Sequence, residues 1–494
     1  MKFRLKIFTL IILLPFLLIA QTEDEPSEAK SSPFSMGGGV GTIVMNGKTY
    51  SQFRLMPEIT LGKIGIGLDI DILIDEEGQV REEDWDDWKD YVNKVYYIRY
   101  GYRGDPIYGK IGGFLSYSLG PGLVMKNYSN MLRYPEHRQI GLQLGGKLPF
   151  AKTTVEAFTS SITENEILAG RVTAQLLSKS QIPLLKNMVF GGTFAHDRNQ
   201  YKGLLDNDDD NYPNVYDDYP DDEDWHNEVD YNEDYWRDIY TEINGDTTGF
   251  NNWFQNSDIL PRNSSFADLG ENDVSVFGVD YKLPLISKKL FTLGHYAEAS
   301  KIIDHGMGFI FPGFYSKFLI FDANLEFRYY QEDFTAAFFD HLYEQQRASV
   351  YGDSVLLKED LLANTEETKG WFGSLQTNIL NFLIIKVSYE DMYGKESNNR
   401  SIWGTARLEQ KIIPKLTTAE INYSQTRFEK LEHFKTPSAL LEGKAGYSLG
   451  GNTVLVAKYQ ERYQDLNNDG EIEGKVNGES ETIKTFGMGV EFKF

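Results

Sequence analysis

The chain has 494 residues, with 73 acidic against 49 basic side chains and a formal net charge of −24, a balance that argues against nucleic acid as a partner. The absence of cysteine excludes disulfides, thiolate metal sites and a lipid-anchored cysteine behind a leader. Glycine (45), tyrosine (30) and phenylalanine (31) are abundant at a mean hydropathy of −0.41, a value that a soluble exported protein shares with a membrane β-barrel, whose strands alternate lipid-facing and lumen-facing residues.

Residues 1–20, MKFRLKIFTLIILLPFLLIA, place Lys2, Arg4 and Lys6 ahead of an apolar run from Ile7 to Ile19 that ends on Ala20. This predicts a secretory signal peptide, with a run short for a membrane helix and an open cleavage position, since Leu18 is a poor cleavage residue. Residues 21–35 are polar and without pattern and predict a disordered leader in the periplasm. No later stretch approaches 18 consecutive apolar residues, so no transmembrane helix is predicted.

From residue 36 to the end, segments of period two recur, the mark of strands with one apolar face. In IGIGLDIDILI, Ile64, Ile66, Leu68, Ile70, Ile72 and Ile74 oppose Gly65, Gly67, Asp69 and Asp71. In QIGLQLGGK, Ile140, Leu142 and Leu144 oppose Gln139, Gly141 and Gln143. FDANLEFRYY and SIWGTARLEQK repeat the pattern. About 18–20 such strands fit over residues 36–494. Sorted by parity, links after even strands are short (62–63, 103–106, 149–152, 286–289, 414–415, 450–452), and links after odd strands include every long one (75–90, about 120–137, about 201–272, about 335–369, 465–481). In an up-and-down meander this gathers all long loops at one rim.

The last strand, TFGMGVEFKF, sets Phe486, Met488, Val490, Phe492 and Phe494 on one face and ends on an aromatic residue. Leader, alternation, one-sided loops and this terminal strand together resemble a Gram-negative outer-membrane β-barrel, porin-like in size. The resemblance implies an all-β, closed antiparallel up-and-down transmembrane barrel with long extracellular loops and short periplasmic turns, in the outer membrane. It also implies outer-membrane lipid and the barrel-assembly machinery as partners, with the five apolar residues of the last strand as the assembly signal. A secreted sandwich or propeller would also alternate but would leave the loop asymmetry unexplained. Aromatics near strand ends, among them Tyr96, Tyr97, Tyr100, Tyr102, Tyr329, Tyr330, Trp371 and Trp403, are expected in interfacial girdles, with sugar-stacking platforms as the alternative for those in loops.

Two loops carry cation-ligand spacing. In DNDDDNYPNVYDDYPDD, Asp206, Asp208, Asp210 and Asp217 fall at positions 1, 3, 5 and 12 of a twelve-residue loop, a spacing that wraps one calcium ion. The stretch also resembles a thrombospondin type 3 calcium repeat, with Asn211 instead of glycine at the turning position and Asp instead of Glu at the twelfth. In DLNNDGEIEG, Asp465, Asn467 and Asp469 occupy positions 1, 3 and 5, and Val476 at 12 cannot ligate. The alternative for both is a solvated acidic rim: Asp206 to Asp238 holds 15 acidic residues against one arginine.

Parity places Asp69, Asp71, Arg99, Arg103, Arg171, Asp322, Glu326, Arg328, Arg407, Glu409, Glu420 and Lys458 on the lumen face, either lining a water-filled channel or pairing with one another and filling it. SLGPGLVMKNYSN (118–130) is a glycine turn and a polar strip that can fold into the pore as a constriction, and residues 335–353 have helical spacing and predict a short helix over the mouth. None of the seven histidines sits in HExxH and no GxSxG is present, so no enzyme and no required cofactor is expected, with calcium in the loops as the one optional ion. The leading expectation is a passive channel for small hydrophilic solutes; the alternative is a non-conducting surface barrel whose acidic loops bind calcium, lipid, glycan or a partner protein.

Overall fold

Alternation along the chain becomes a single closed sheet. The computed structural model describes residues 34–493 except 46–47, 82–83, 86–90, 92–93, 134–138, 165, 207, 209, 221, 223–224, 227–231, 256–264, 352–353, 381, 396–397, 409–412, 429–433, 437, 451–452, 464–471, 473 and 477–478. Twenty antiparallel strands form the wall: β1 (Phe34–Met45), β2 (Lys48–Leu61), β3 (Ile64–Leu68 continued by Ile70–Ile74), β4 (Val95–Tyr100), β5 (Ile107–Gly112), β6 (Gly141–Lys147), β7 (Thr154–Thr159), β8 (Ile167–Ala174), β9 (Val189–Asp197), β10 (Val274–Lys288), β11 (Phe291–Ile302), β12 (Met307–Phe318), β13 (Phe321–Tyr330), β14 (Thr368–Ile379), β15 (Leu383–Tyr393), β16 (Asn398–Leu408), β17 (Leu416–Phe428), β18 (Ala439–Gly450), β19 (Thr453–Tyr463) and β20 (Thr482–Lys493). Each strand pairs with the next in sequence, and β20 pairs back onto β1 through Gly37↔Lys493, Gly38↔Phe492, Gly39↔Glu491 and Val40↔Val490. Closure removes the sheet edges that would otherwise leave backbone groups unpaired.

The register sorts residues to two faces as the period-two reading requires. Leu144, Ala157, Gly170, Phe194 and Phe277 share one rung and face outward, where Phe194 and Phe277 are 44% and 47% exposed. The neighbouring rung, Glu156, Arg171, Thr193 and Gly278, faces inward. Phe486 and Met488 of β20 also face outward, at 64% and 56% exposure. Phe494 lies outside the described residues, as does the side chain of Phe492.

Long connections gather at one rim, after β3, β5, β9, β13 and β19, as parity predicts. One departure stands out: the even link after β8, residues 175–188, is fourteen residues long and carries a 3-10 turn at Leu185–Asn187. Girdle residues also divide. Trp371 faces outward and is half exposed, but Tyr97 donates to Glu58, Tyr330 donates to Glu390, and Trp403 shares the inward parity of Ser401, so these three belong to the lumen face. Among the described residues no helix is long and apolar enough to cross a membrane.

Candidate functional site

The lumen is the place where side chains of many strands converge, and two of the long loops enter it. Past β5 the chain turns inward and forms a hairpin, Tyr117–Leu119 with Met125–Tyr128. Its turn is Gly120-Pro121-Gly122. Gly120 has φ +74°, and a Cβ there would lie 2.9 Å from Arg171 Nη1 and 3.1 Å from Thr193 Oγ1 of the wall, so the approach requires glycine. On the wall, Gly278 leaves room for Val124, whose Cγ2 would sit 2.7 Å from any Cβ.

Contrary to a polar strip, this hairpin is an apolar wedge. Leu119, Leu123, Val124, Met125 and Tyr128 are all buried, packed on Phe158, Ile167, Val276 and Ile310 of the inner wall. Burial of each large apolar side chain is worth about 1.5–3 kcal/mol. The second loop, after β13, lays Phe338 and Phe339 on the wedge: Ala337 N–H donates to Leu123 O (2.8 Å), Lys126 N–H to Phe339 O (3.0 Å) and Phe339 N–H to Val124 O (3.3 Å). The helix expected over 335–353 is reduced to one turn, Tyr343–Gln346, and a small hairpin, Ala348–Tyr351 with Ser354–Leu357, follows it. The apolar spacing of Phe338 serves burial against the wedge, not a helix face.

Polar wall residues hold the wedge at both depths. Near the long-loop side, Glu298 Oε2 accepts from Leu123 N–H (3.0 Å). Near the short turns, Tyr117 O–H donates to Glu156 Oε1 (2.7 Å) and Arg103 Nη2 donates to Ser118 O (2.9 Å). Arg103 therefore lies in the turn after β4, not on a strand, and reaches in from there. The wedge thus runs down the lumen to the short-turn end.

The predicted lumen residues fall into groups. Asp69 is buried against Arg54 (Nε to Oδ1, 2.6 Å), and Asp71 accepts from Gln52 Nε2 (2.6 Å). Arg171 forms a fork on Asp280 (2.6 and 2.9 Å) and donates to Thr193 (2.6 Å). Arg328 bridges Glu326 and Glu390, the latter at 2.8 Å, and stacks over the Phe372 ring at 3.8 Å. Arg99 lies over Tyr102 (4.0 Å). Asp322 is exposed toward the short-turn end. Arg407, Glu420, Lys444 and Lys458 form one rung across β16–β19, with two lysines directly opposite. Glu409 lies outside the described residues. Paired charges occur on both sides of the barrel, at Arg54–Asp69 and at Arg171–Asp280 and Arg328–Glu390; the wedge packs on the arc from β5 to β15, and the lysine rung belongs to the other arc.

Sequence reading missed Arg54, Glu58, Glu156, Asp280, Glu298 and Glu390, although parity marks each: SQFRLMPEI alternates Gln52, Arg54 and Glu58, and HYAEASK carries Glu298 between alanines. It also missed the latch that ties the second loop to the rim, for which no local signal exists. Arg347, 1% exposed, donates to Glu166 and lies 3.4 Å from Asp197 and 3.5 Å from Glu344. Tyr343 O–H donates to Asp197 Oδ2 (2.9 Å) and Tyr128 O–H to Glu344. Burial pushes the Glu166 carboxyl up to about 8, against the pull of Arg347.

At the long-loop rim, carboxylate oxygens of Asp206, Asp208 and Asp210 lie within 4.8 Å of one another. Asn211 adopts φ +75°, the left-handed turn expected at position 6. Burial, then the Asp210 charge, lifts Asp206 to about 6. Asp465, Asn467 and Asp469 lie outside the described residues.

The chain matches no protein-family model and no curated protein sequence. Among solved structures it is similar to OccAB3 of Acinetobacter baumannii (10% identity, 93% of this chain and 98% of that one, TM-score 0.32). It is similar also to OccK11 (OpdR) of Pseudomonas aeruginosa (11%, 93% and 94%, 0.31) and to a mutant of the ferric enterobactin receptor PfeA of the same organism (9%, 93% and 80%, 0.38).

Proposed function

We propose that the chain is an exported outer-membrane barrel that passes small hydrophilic solutes through a lumen narrowed by its own loops, and that it is not an enzyme. The outward residues Leu144, Phe194, Phe277, Trp371 and Leu375 are apolar and solvent-accessible, which suits hydrocarbon. Twenty strands enclose a width that 16–18-stranded porins already fill with water. The observation that carries the reading is the wedge Tyr117–Tyr128: it fills one arc of the lumen and is anchored on Glu298, Glu156 and Arg103, while the opposite arc keeps the rung Arg407–Glu420–Lys444–Lys458. In this reading the leader is cleaved, the long loops are extracellular, and assembly machinery recognises the apolar terminal strand. The test is single-channel conductance in a planar bilayer. The intact protein is expected to conduct weakly, and a variant with residues 119–125 replaced by two glycines to conduct several-fold more. A deletion variant that inserts, closes its barrel and stays silent would overturn the channel reading in favour of a non-conducting surface barrel.

A further inference from the structure

We propose that one sector of the short-turn rim, built by the links after β6, β8 and β10, docks anionic phospholipid through lysines set among exposed leucines. This rests on the reading of the chain as a membrane barrel and stands whether or not the barrel conducts. The links are residues 148–153, 175–188 and 289–290, successive on one rim. Gln175 N–H donates to Ala151 O (2.8 Å), which joins the first link to the second, and the 3-10 turn Leu185–Asn187 lies beside β10.

Charge and hydropathy both single out this sector. Residues 148–153, 175–188 and 285–290 hold five lysines, Lys152, Lys179, Lys186, Lys288 and Lys289, and no acidic residue, in a chain of formal net charge −24. All five are exposed, and none forms a salt bridge among the described residues. Between them stand exposed apolar side chains: Phe150 (76%), Leu176 (60%), Ile182, Leu184 and Leu290. The fourteen-residue link after β8, the departure from the tight turns of this rim, supplies three of these and two of the lysines. Leu148 and Leu176 continue the outward rows of β6 and β8 that contain Leu144 and Val172. A soluble acidic partner would answer the lysines alone. A bilayer interface answers both, since alkyl groups enter the acyl boundary while ammonium groups meet phosphate.

The chain has no cysteine, so Ser178→Cys gives a single attachment point for a fluorophore inside the link. The full chain, reconstituted in phosphatidylcholine vesicles, is titrated with doxyl-labelled phosphatidylglycerol or with doxyl-labelled phosphatidylcholine. Half-quenching is expected at a mole fraction of the anionic lipid about threefold below that of the zwitterionic one. Sodium chloride at about 0.5 M is expected to erase the difference. So is the combined substitution Lys179→Gln, Lys186→Gln, Lys288→Gln and Lys289→Gln, whereas Lys63→Gln, on the short turn after β2, preserves it. Barrel closure is checked by heat-dependent gel migration; if the fourfold variant fails to close, the salt dependence of the labelled chain decides. Equal quenching by the two lipids, or a preference that survives salt or the four substitutions, would overturn the proposal. A probe that neither lipid quenches in a closed, inserted barrel would overturn it in favour of a soluble acidic partner. A chain that does not close in vesicles would refute the barrel reading itself and this proposal with it.

Discussion

Arg347 shows how much a single side chain does inside this lumen. Its guanidinium meets the carboxyl groups of Glu166, Asp197 and Glu344 together, and it fastens the loop after β13 to the ends of β8 and β9. Arg347→Met would remove the cation packed among the buried carboxyl groups of Glu166, Asp197 and Glu344, a loss of about 3–5 kcal/mol in the stability of that loop, to be read as faster proteolysis at the hairpin Ala348–Leu357. The latch is also pH-dependent. Glu166, near Glu164, Glu344, Asp197, Arg133 and Arg347, takes up a proton more readily folded than unfolded, because burial raises its carboxyl from 4.5 to about 8. Its contribution is therefore complete below 4.5, declines as pH rises, and is gone above about 8. Protection of the loop from protease is expected to be greater at about pH 5 than at about pH 8.5, and Glu166→Gln is expected to flatten the difference. An unchanged pH profile in Glu166→Gln would assign the dependence to another group.

Among elements, β20 and the wedge teach opposite lessons. The alternation of β20 reads directly from TFGMGVEFKF, because a strand has only two faces and one must be apolar. Met488→Arg puts a charge on the outward face in mid-strand and is expected to cost about 2–4 kcal/mol of folding free energy in lipid vesicles. Gly487→Arg, on the adjacent inward position opposite Lys458, should cost far less. Equal costs in denaturant titrations would show that the outward face is not in hydrocarbon. The wedge, by contrast, reads as a polar strip: Lys126, Asn127, Ser129 and Asn130 mask Leu119, Leu123, Val124 and Met125, and no period exposes a three-residue strand. Its apolar side becomes evident only when Phe158, Val276 and Phe339 surround it.

For the whole molecule, the channel reading proposed above makes the placement of the wedge along one arc decide which charges would face a passing ion. Arg171, forked on Asp280, is a structural pair, so charge reversal there would disturb the wall. Lys444 and Lys458, directly opposite in the ladder, are the better probes. The pair Lys444→Glu and Lys458→Glu is expected to shift reversal potentials in a salt gradient toward cation preference. An unchanged potential would place the conducting path elsewhere.

A closed barrel of about 18–20 strands, the faces of most residues, and the gathering of the long loops at one rim, apart from the fourteen-residue link after β8, were determined by the sequence alone. Each follows from a local rule: side chains alternate, and successive antiparallel strands return to the same end. The convergence of Asp206, Asp208 and Asp210 is likewise local, lying within one loop. That the wedge occupies part of the lumen, that Arg103 reaches in from a turn, and that Arg347 meets Glu166 and Asp197 across 181 and 150 residues was settled by the folded barrel and by nothing local. Those contacts depend on which loops find room inside the closed wall, and room is a property of the barrel as a whole, recorded in no stretch of its sequence.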